Sequence, residues 1–130
     1  MKIISRNVAG INSASKCHQV INQCKKYDIS FLQETKANHL SIAFIRAKWG
    51  SDTVYYSTTG AASRGVITLI HPRAAPIVLS EQADEEGQFH ILLVAIKDRN
   101  WLLVNTYGSP EGDTPSQQTM IRLTIKLNLT

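Results

Sequence analysis

The 130-residue chain holds only two cysteines and four prolines, and it has no long hydrophobic run and no string of cations. Each scarcity excludes something. Cys17 and Cys24 stand seven positions apart. On a helix that is about 10 Å along the axis, too far for a disulfide. Their spacing suits no zinc site either, so they read as small core residues of a protein in a reducing compartment. The longest apolar run, Ile91 to Ile96, is far too short to cross a bilayer, and Arg6 arrives before a signal-peptide core can develop. A soluble intracellular protein, nuclear or cytoplasmic and with no membrane partner, is expected. Lys25-Lys26 is the only adjacent pair of cations, so the net charge of +4 and pI near 9.2 lean towards an anionic partner such as nucleic acid without marking where it binds. What is present is ordinary for one globular domain, with 43% hydrophobic and 18% charged residues. A domain of this size buries roughly two-thirds of its unfolded surface and needs no staples.

The informative stretch is Asp28-Ile-Ser-Phe-Leu-Gln-Glu34-Thr35-Lys36. Ile29, Phe31 and Leu32 form a short apolar run that reads as a buried strand, and it stops abruptly at four polar residues. A carboxylate at the carboxyl end of a core strand is held rigidly and can still face solvent, on the edge where open α/β sheets bind ligands. Glu34 is therefore a candidate ligand for Mg²⁺, which is usually held by only one or two protein carboxylates.

Lys2 to Val8 reads as a first strand, interrupted near its end by the amide of Asn7. Asn12 or Ser13 can cap a helix running to about Tyr27, with Ala14, Cys17, Ile21 and Cys24 drawing one stripe. Strand, helix and strand make a βαβ unit with parallel strands, which puts Asn7 and Glu34 on one edge. A second helix is expected over 38–49, with Leu40, Ala43, Phe44 and Ala47 on one face. Beyond it the period changes to that of strands: 53–57, 64–70, 75–79, 88–97 and 101–107, with turns at Asp84–Gly87 and Asp98–Asn100. Thr114 or Ser116 can cap a closing helix bearing Met120, Leu123, Ile125 and Leu127. The class is α/β (α+β), with a mixed, mostly antiparallel sheet.

In order and spacing, Asn7 within Arg6–Ile11, then Gln33-Glu34-Thr35-Lys36, then Ser63–Ile67, then Asn105-Thr106-Tyr107 resemble the endonuclease/exonuclease/phosphatase superfamily. Within it they look most like the endonuclease domains of LINE-type (non-LTR) retrotransposons. The resemblance implies a two-sheet sandwich flanked by helices. It implies Mg²⁺, with Mn²⁺ as a substitute, at a site served by Glu34 as direct ligand and by Asn7. Tyr107 would stand near the scissile phosphate and Asn105 would support its loop. The implied activity is phosphodiester hydrolysis by an endonuclease on DNA, gripped through its phosphate backbone. Arg6 departs from the family's aromatic or apolar residue before the asparagine. The family's Gly-Asp-Phe-Asn and Ser-Asp-His motifs do not follow Tyr107, and Gly112-Asp113 lies too close to it to replace them. His18, His39, His71 and His90 match no catalytic position and read as surface or partly buried side chains. Residues 1–130 are therefore expected to be a single, C-terminally truncated domain, incomplete as an enzyme by itself. Apolar surface is then expected on the Ile91–Ile96 and Leu102–Val104 strands. The alternatives are a non-catalytic remnant that binds nucleic acid or protein, and a phosphodiesterase of the same fold acting on a small phosphodiester.

Overall fold

The computed structural model describes residues 1–59 and 64–107. The order is β1 (Ile3–Asn7), α1 (Ala14–Cys24), β2 (Ile29–Gln33), α2 (His39–Trp49), β3 (Val54–Ser57), β4 (Val66–Ile70), β5 (Ile77–Ala83), β6 (Phe89–Ile96) and β7 (Arg99–Thr106). The expected helix near Met120 lies outside the described residues. One sheet has the order β1-β2-β4-β3 and the other β5-β6-β7. β1 and β2 run parallel, from Ile3 opposite Ile29 to Asn7 opposite Gln33, and every other described pairing is antiparallel. The class is therefore mixed α+β, a two-sheet sandwich with helices on one outer face.

Each sheet face has its own core. Towards the helices, Leu32, Ile67 and Leu69 meet Cys17, Ile21, Ile42, Ile45 and Trp49. Between the sheets, Ile29 and Ile70 meet Leu92, Val94, Ile96 and Leu103, with Phe31 and Trp101 packed alongside. β4 is covered on both faces, so all five of its residues are buried and it reads as an apolar run broken only by Thr68.

The helices start where their caps predict. The Ser13 hydroxyl accepts from Lys16 N at 3.2 Å, and the Asn38 side-chain Oδ1 accepts from Ser41 N at 2.8 Å. α1 buries Cys17, Val20, Ile21 and Cys24 and ends at Cys24, earlier than expected. Both cysteines are free thiols, and burial raises their pKa. α2 turns a different face inward than expected: Ser41, Ile42, Ile45 and Trp49 are buried while Leu40 is 82% exposed. Two apolar stripes of helical spacing compete on α2. The choice falls to Trp49, whose indole N–H donates to Ile70 O at 2.9 Å, and to Ser41, whose hydroxyl reaches Asn12 at 2.6 Å.

The second sheet also departs from expectation. β5 begins at Ile77, just after Pro76, which has no N–H to give a ladder. The β6–β7 turn is Lys97-Asp98, since Ile96 already pairs with Arg99. Ile91, Leu92, Val94, Ile96 and Leu103 are buried, and the exposed apolar side chains are instead Ile77, Val78 and Leu79 on edge strand β5.

At the amino end of β2, the Asp28 carboxylate accepts from Lys2 N at 2.7 Å and from Arg73 Nε at 2.9 Å. The Lys2 hydrogen bond first, and Arg73 second, hold its pKa below the ordinary value of 3.8. A carboxylate depressed in the fold adds stability above its unfolded pKa, and this is lost as pH falls through the folded one. Asp28→Asn should therefore lower the urea midpoint near neutrality, with the gap to the parent closing as the pH drops below the carboxylate range. A gap of the same size at both ends of the titration would show that Asp28 contributes nothing through its charge.

Candidate active site

β1 and β2 end side by side, and their extensions stay paired past the strands. Val8 N donates to Gln33 O at 3.0 Å, Gly10 N to Glu34 O at 2.8 Å and Ile11 N to Thr35 O at 3.0 Å. On the other flank, Thr35 N donates to Gly65 O at 3.0 Å and Lys36 N to Arg64 O at 2.6 Å. Between these two ladders Glu34 and Lys36 sit in the left-handed region, at φ 53° and 54°. A non-glycine residue there costs on the order of 1 kcal/mol or more and persists only where its surroundings impose it. Here five backbone hydrogen bonds do so.

That conformation brings Glu34 to Asn7, whose Nδ2 donates to Glu34 Oε2 at 2.6 Å. Asn7 Oδ1 accepts from Ala9 N at 3.0 Å. The two contacts settle the amide's orientation, because flipping it would set an oxygen against a carboxylate and an N–H₂ against an N–H. Asn7 thus offers Glu34 a donor and keeps its oxygen for the turn.

Asn105 lies on the second sheet and is 1% exposed. Its Nδ2 donates to Ile67 O at 2.9 Å, Thr68 Oγ1 at 3.2 Å and Leu32 O at 3.3 Å, while its Oδ1 accepts from Gln33 Nε2 at 3.0 Å. Every polar atom of the side chain is used inside the protein, so Asn105 is a positioning residue that bolts β7 to β2 and β4. It sets the carboxyl ends of β2 and β7 together, and half-buried Tyr107 leaves β7 at that edge, its N–H donating to Gln88 O at 2.7 Å.

Several supporting residues escape a reading of the sequence. Gln33 spans Ser5 Oγ and Asn105 Oδ1, both at 3.0 Å. Its place in the polar tetrad was the only signal. Asn12 braces the loop after Glu34: its Nδ2 donates to Lys36 O at 2.7 Å and its Oδ1 accepts from Ser41 Oγ at 2.6 Å. Asp84 accepts from Ser57 Oγ and from the amides of Gln88 and Phe89, which shapes the turn whose Gly87 O receives Gly65 N at 2.9 Å. His90 was expected to be at the surface or partly buried and is wholly buried. It points between the sheets from central strand β6, and its Nε2 meets Glu81 Oε2 at 2.7 Å. Among the described residues no three His, Cys, Asp or Glu side chains converge as a metal cluster.

The fold is shared with solved structures. A humanized D. rerio TDP2 matches with a TM-score of 0.62 at 13% identity, over 99% of this chain and 58% of that one. D. rerio TDP2 complexed with a single-strand DNA product matches at 0.64 and 14%, over 97% and 53%. The AP endonuclease LMAP of Leishmania major matches at 0.56 and 19%, over 91% and 43%. The architecture is that of the endonuclease/exonuclease/phosphatase fold, and the chain spans about half the length of these structures. No protein-family model and no curated protein matches the sequence.

Proposed function

We propose that the edge carrying Glu34 is part of the active site of a divalent-cation-dependent phosphodiesterase, an endonuclease acting on DNA. The observation that carries this reading is the Asn7–Glu34 contact of 2.6 Å, made by a glutamate held in a left-handed conformation. A rigid, half-buried carboxylate oriented by an amide donor suits a hard cation such as Mg²⁺ or Mn²⁺, which favours oxygen ligands and needs few from the protein. Glu34 would hold the ion, and Asn7 would keep that carboxylate in place. Such an ion, when bound, neutralises charge that develops on phosphoryl oxygens.

The chain's own residues would do the remaining work on this side. Tyr107 would place its hydroxyl near the phosphate, Lys36 would attract the backbone from beside Glu34, and Gln33 and Asn105 would keep the two sheets in register. A single-strand DNA product in one structural neighbour and the AP endonuclease activity named in another support nucleic acid as the substrate class. The order of the Asn7, Gln33–Lys36 and Asn105–Tyr107 motifs supports the LINE-type lineage. The half-length coverage supports the proposal that residues 1–130 hold one part of a bipartite catalytic domain.

Three measurements test this. Mn²⁺ titrated into residues 1–130 should bind weakly and saturably, measured by electron paramagnetic resonance. Glu34→Gln should abolish the binding, and Asn7→Ala should weaken it. Nicking of supercoiled plasmid by the same polypeptide should stay at background, because members of a catalytic unit are strongly non-additive. Weak, salt-sensitive DNA association should survive through phosphate contacts. Mn²⁺ binding untouched by Glu34→Gln would remove the basis of the proposal. Robust nicking that disappears with chelator and with Glu34→Gln would keep the chemistry and overturn the bipartite reading.

A further inference from the structure

At the opposite end of β2 from Glu34, about 20 Å away at strand rise per residue, lies a pocket of about 530 Å³. That volume is in the range that small-molecule sites occupy. Its apolar wall includes Ile96 and Trp101, and its rim carries Arg73, Lys97 and Arg99. Lys97 and Arg99 are exposed around the tight β6–β7 turn, and Trp101 is half-buried.

Two carboxylates also line the pocket, Asp28 and Asp98. Asp28 is engaged on both oxygens, by Lys2 N and by Arg73 Nε, so it anchors the rim rather than offering an open acceptor. Asp28 and Arg73 neutralise one another, which leaves Lys97 and Arg99 against Asp98, a rim of net positive charge suited to an anion. An indole beside that rim adds a flat surface on which a heterocycle can stack. Base–aromatic stacking combined with cationic phosphate contacts is the chemistry by which proteins hold unpaired nucleotides.

We propose that this pocket binds a single nucleotide unit, its base on Trp101 and its phosphate among Arg73, Lys97 and Arg99. The site is independent of the Glu34 edge and stands whether or not that edge hydrolyses phosphodiesters.

The two tryptophans make the test direct. Trp49 is buried with its N–H bonded to Ile70 O, so its indole resonance is an internal reference, while Trp101 reports on the pocket. Residues 1–130 are titrated separately with AMP, a short oligo-dT and inorganic phosphate, following both indole N–H signals by NMR. AMP and oligo-dT should shift Trp101 saturably and leave Trp49 in place. A shift with oligo-dT alone would assign the site to nucleotides within a strand. The double variant Lys97→Glu, Arg99→Glu changes only exposed positions and should stay folded while binding about tenfold or more weakly. Trp101→Ala, which removes the reporter and is followed by calorimetry instead, should lose binding as well, and Glu34→Gln should retain it. No shift with either AMP or oligo-dT at millimolar concentration, the full shift with phosphate alone, or unchanged affinity in the double variant would each overturn the proposal.

Discussion

Asn105→Asp is expected to destabilise the chain by about 3–5 kcal/mol, more than Asn105→Ala at about 2–4 kcal/mol, although aspartate is the closer match in shape. The amide nitrogen donates to Leu32 O, Ile67 O and Thr68 Oγ1 at a position 1% exposed. Alanine removes every one of these inter-sheet hydrogen bonds and leaves Gln33 with only Ser5 Oγ of its two side-chain partners. An ionised aspartate adds a buried charge that faces two backbone carbonyls with nothing to donate. Its carboxyl would be forced to a raised pKa in the fold, so the variant should regain stability as the pH falls and the group takes up a proton. Urea midpoints for the three proteins, near neutrality and in mild acid, separate these effects. An aspartate variant as stable as the alanine variant, with no recovery in acid, would mean that the inter-sheet bolt is not closed in solution.

Gly65→Ala should cost about 2–4 kcal/mol and should also release the cation-binding edge. Gly65 has φ +96°, where a side chain is strained, and a Cβ there would stand 2.6 Å from Thr35 Oγ1 and 3.4 Å from Lys36 N. Thr35 is completely buried, and its hydroxyl finds no hydrogen-bond partner among the described residues, so the atom in the way is hemmed in by packing. Because Gly65 O accepts Thr35 N, displacement of this segment would shift the ladder that imposes the left-handed turn at Glu34. The double variant Gly65→Ala, Thr35→Ala should recover the steric part of the loss and leave the part due to φ. Measured in the same cycle, Mn²⁺ affinity should follow stability at Gly65 while Thr35→Ala alone leaves it intact. A fully stable Gly65→Ala protein with parental Mn²⁺ binding would show that the contact is not a constraint.

How far these features were legible depends on the range over which each is encoded. The βαβ start was legible because it is local: two short apolar runs bracket a capped amphipathic helix, and the right-handed crossover rule then puts both strand ends on one edge. That places Asn7 and Glu34 on the same edge, and the left-handed turn at Glu34 closes the contact between them. The inward face of α2 was not legible, because Leu40, Phe44 and Ala47 have the same helical spacing as Ile42, Ile45 and Trp49. Periodicity does not distinguish two apolar stripes. His90 was misjudged on its polarity, since a single residue carries no sign that its strand will lie at the centre of a sheet.

The sequence by itself determined the succession of elements, the start of both helices, and the polar strand ends that mark one edge. All of these follow from dihedral preferences and periodicities that act over a few residues. Only the tertiary structure decided that Asn105 would close on Gln33, 72 positions away, that Trp49 would find Ile70 O, and that Glu34 would be held left-handed between Gly10 and Gly65. Those outcomes are hydrogen bonds between segments distant in the chain. Their partners exist only once two sheets have packed and water has been excluded, which leaves each buried donor a single acceptor within reach.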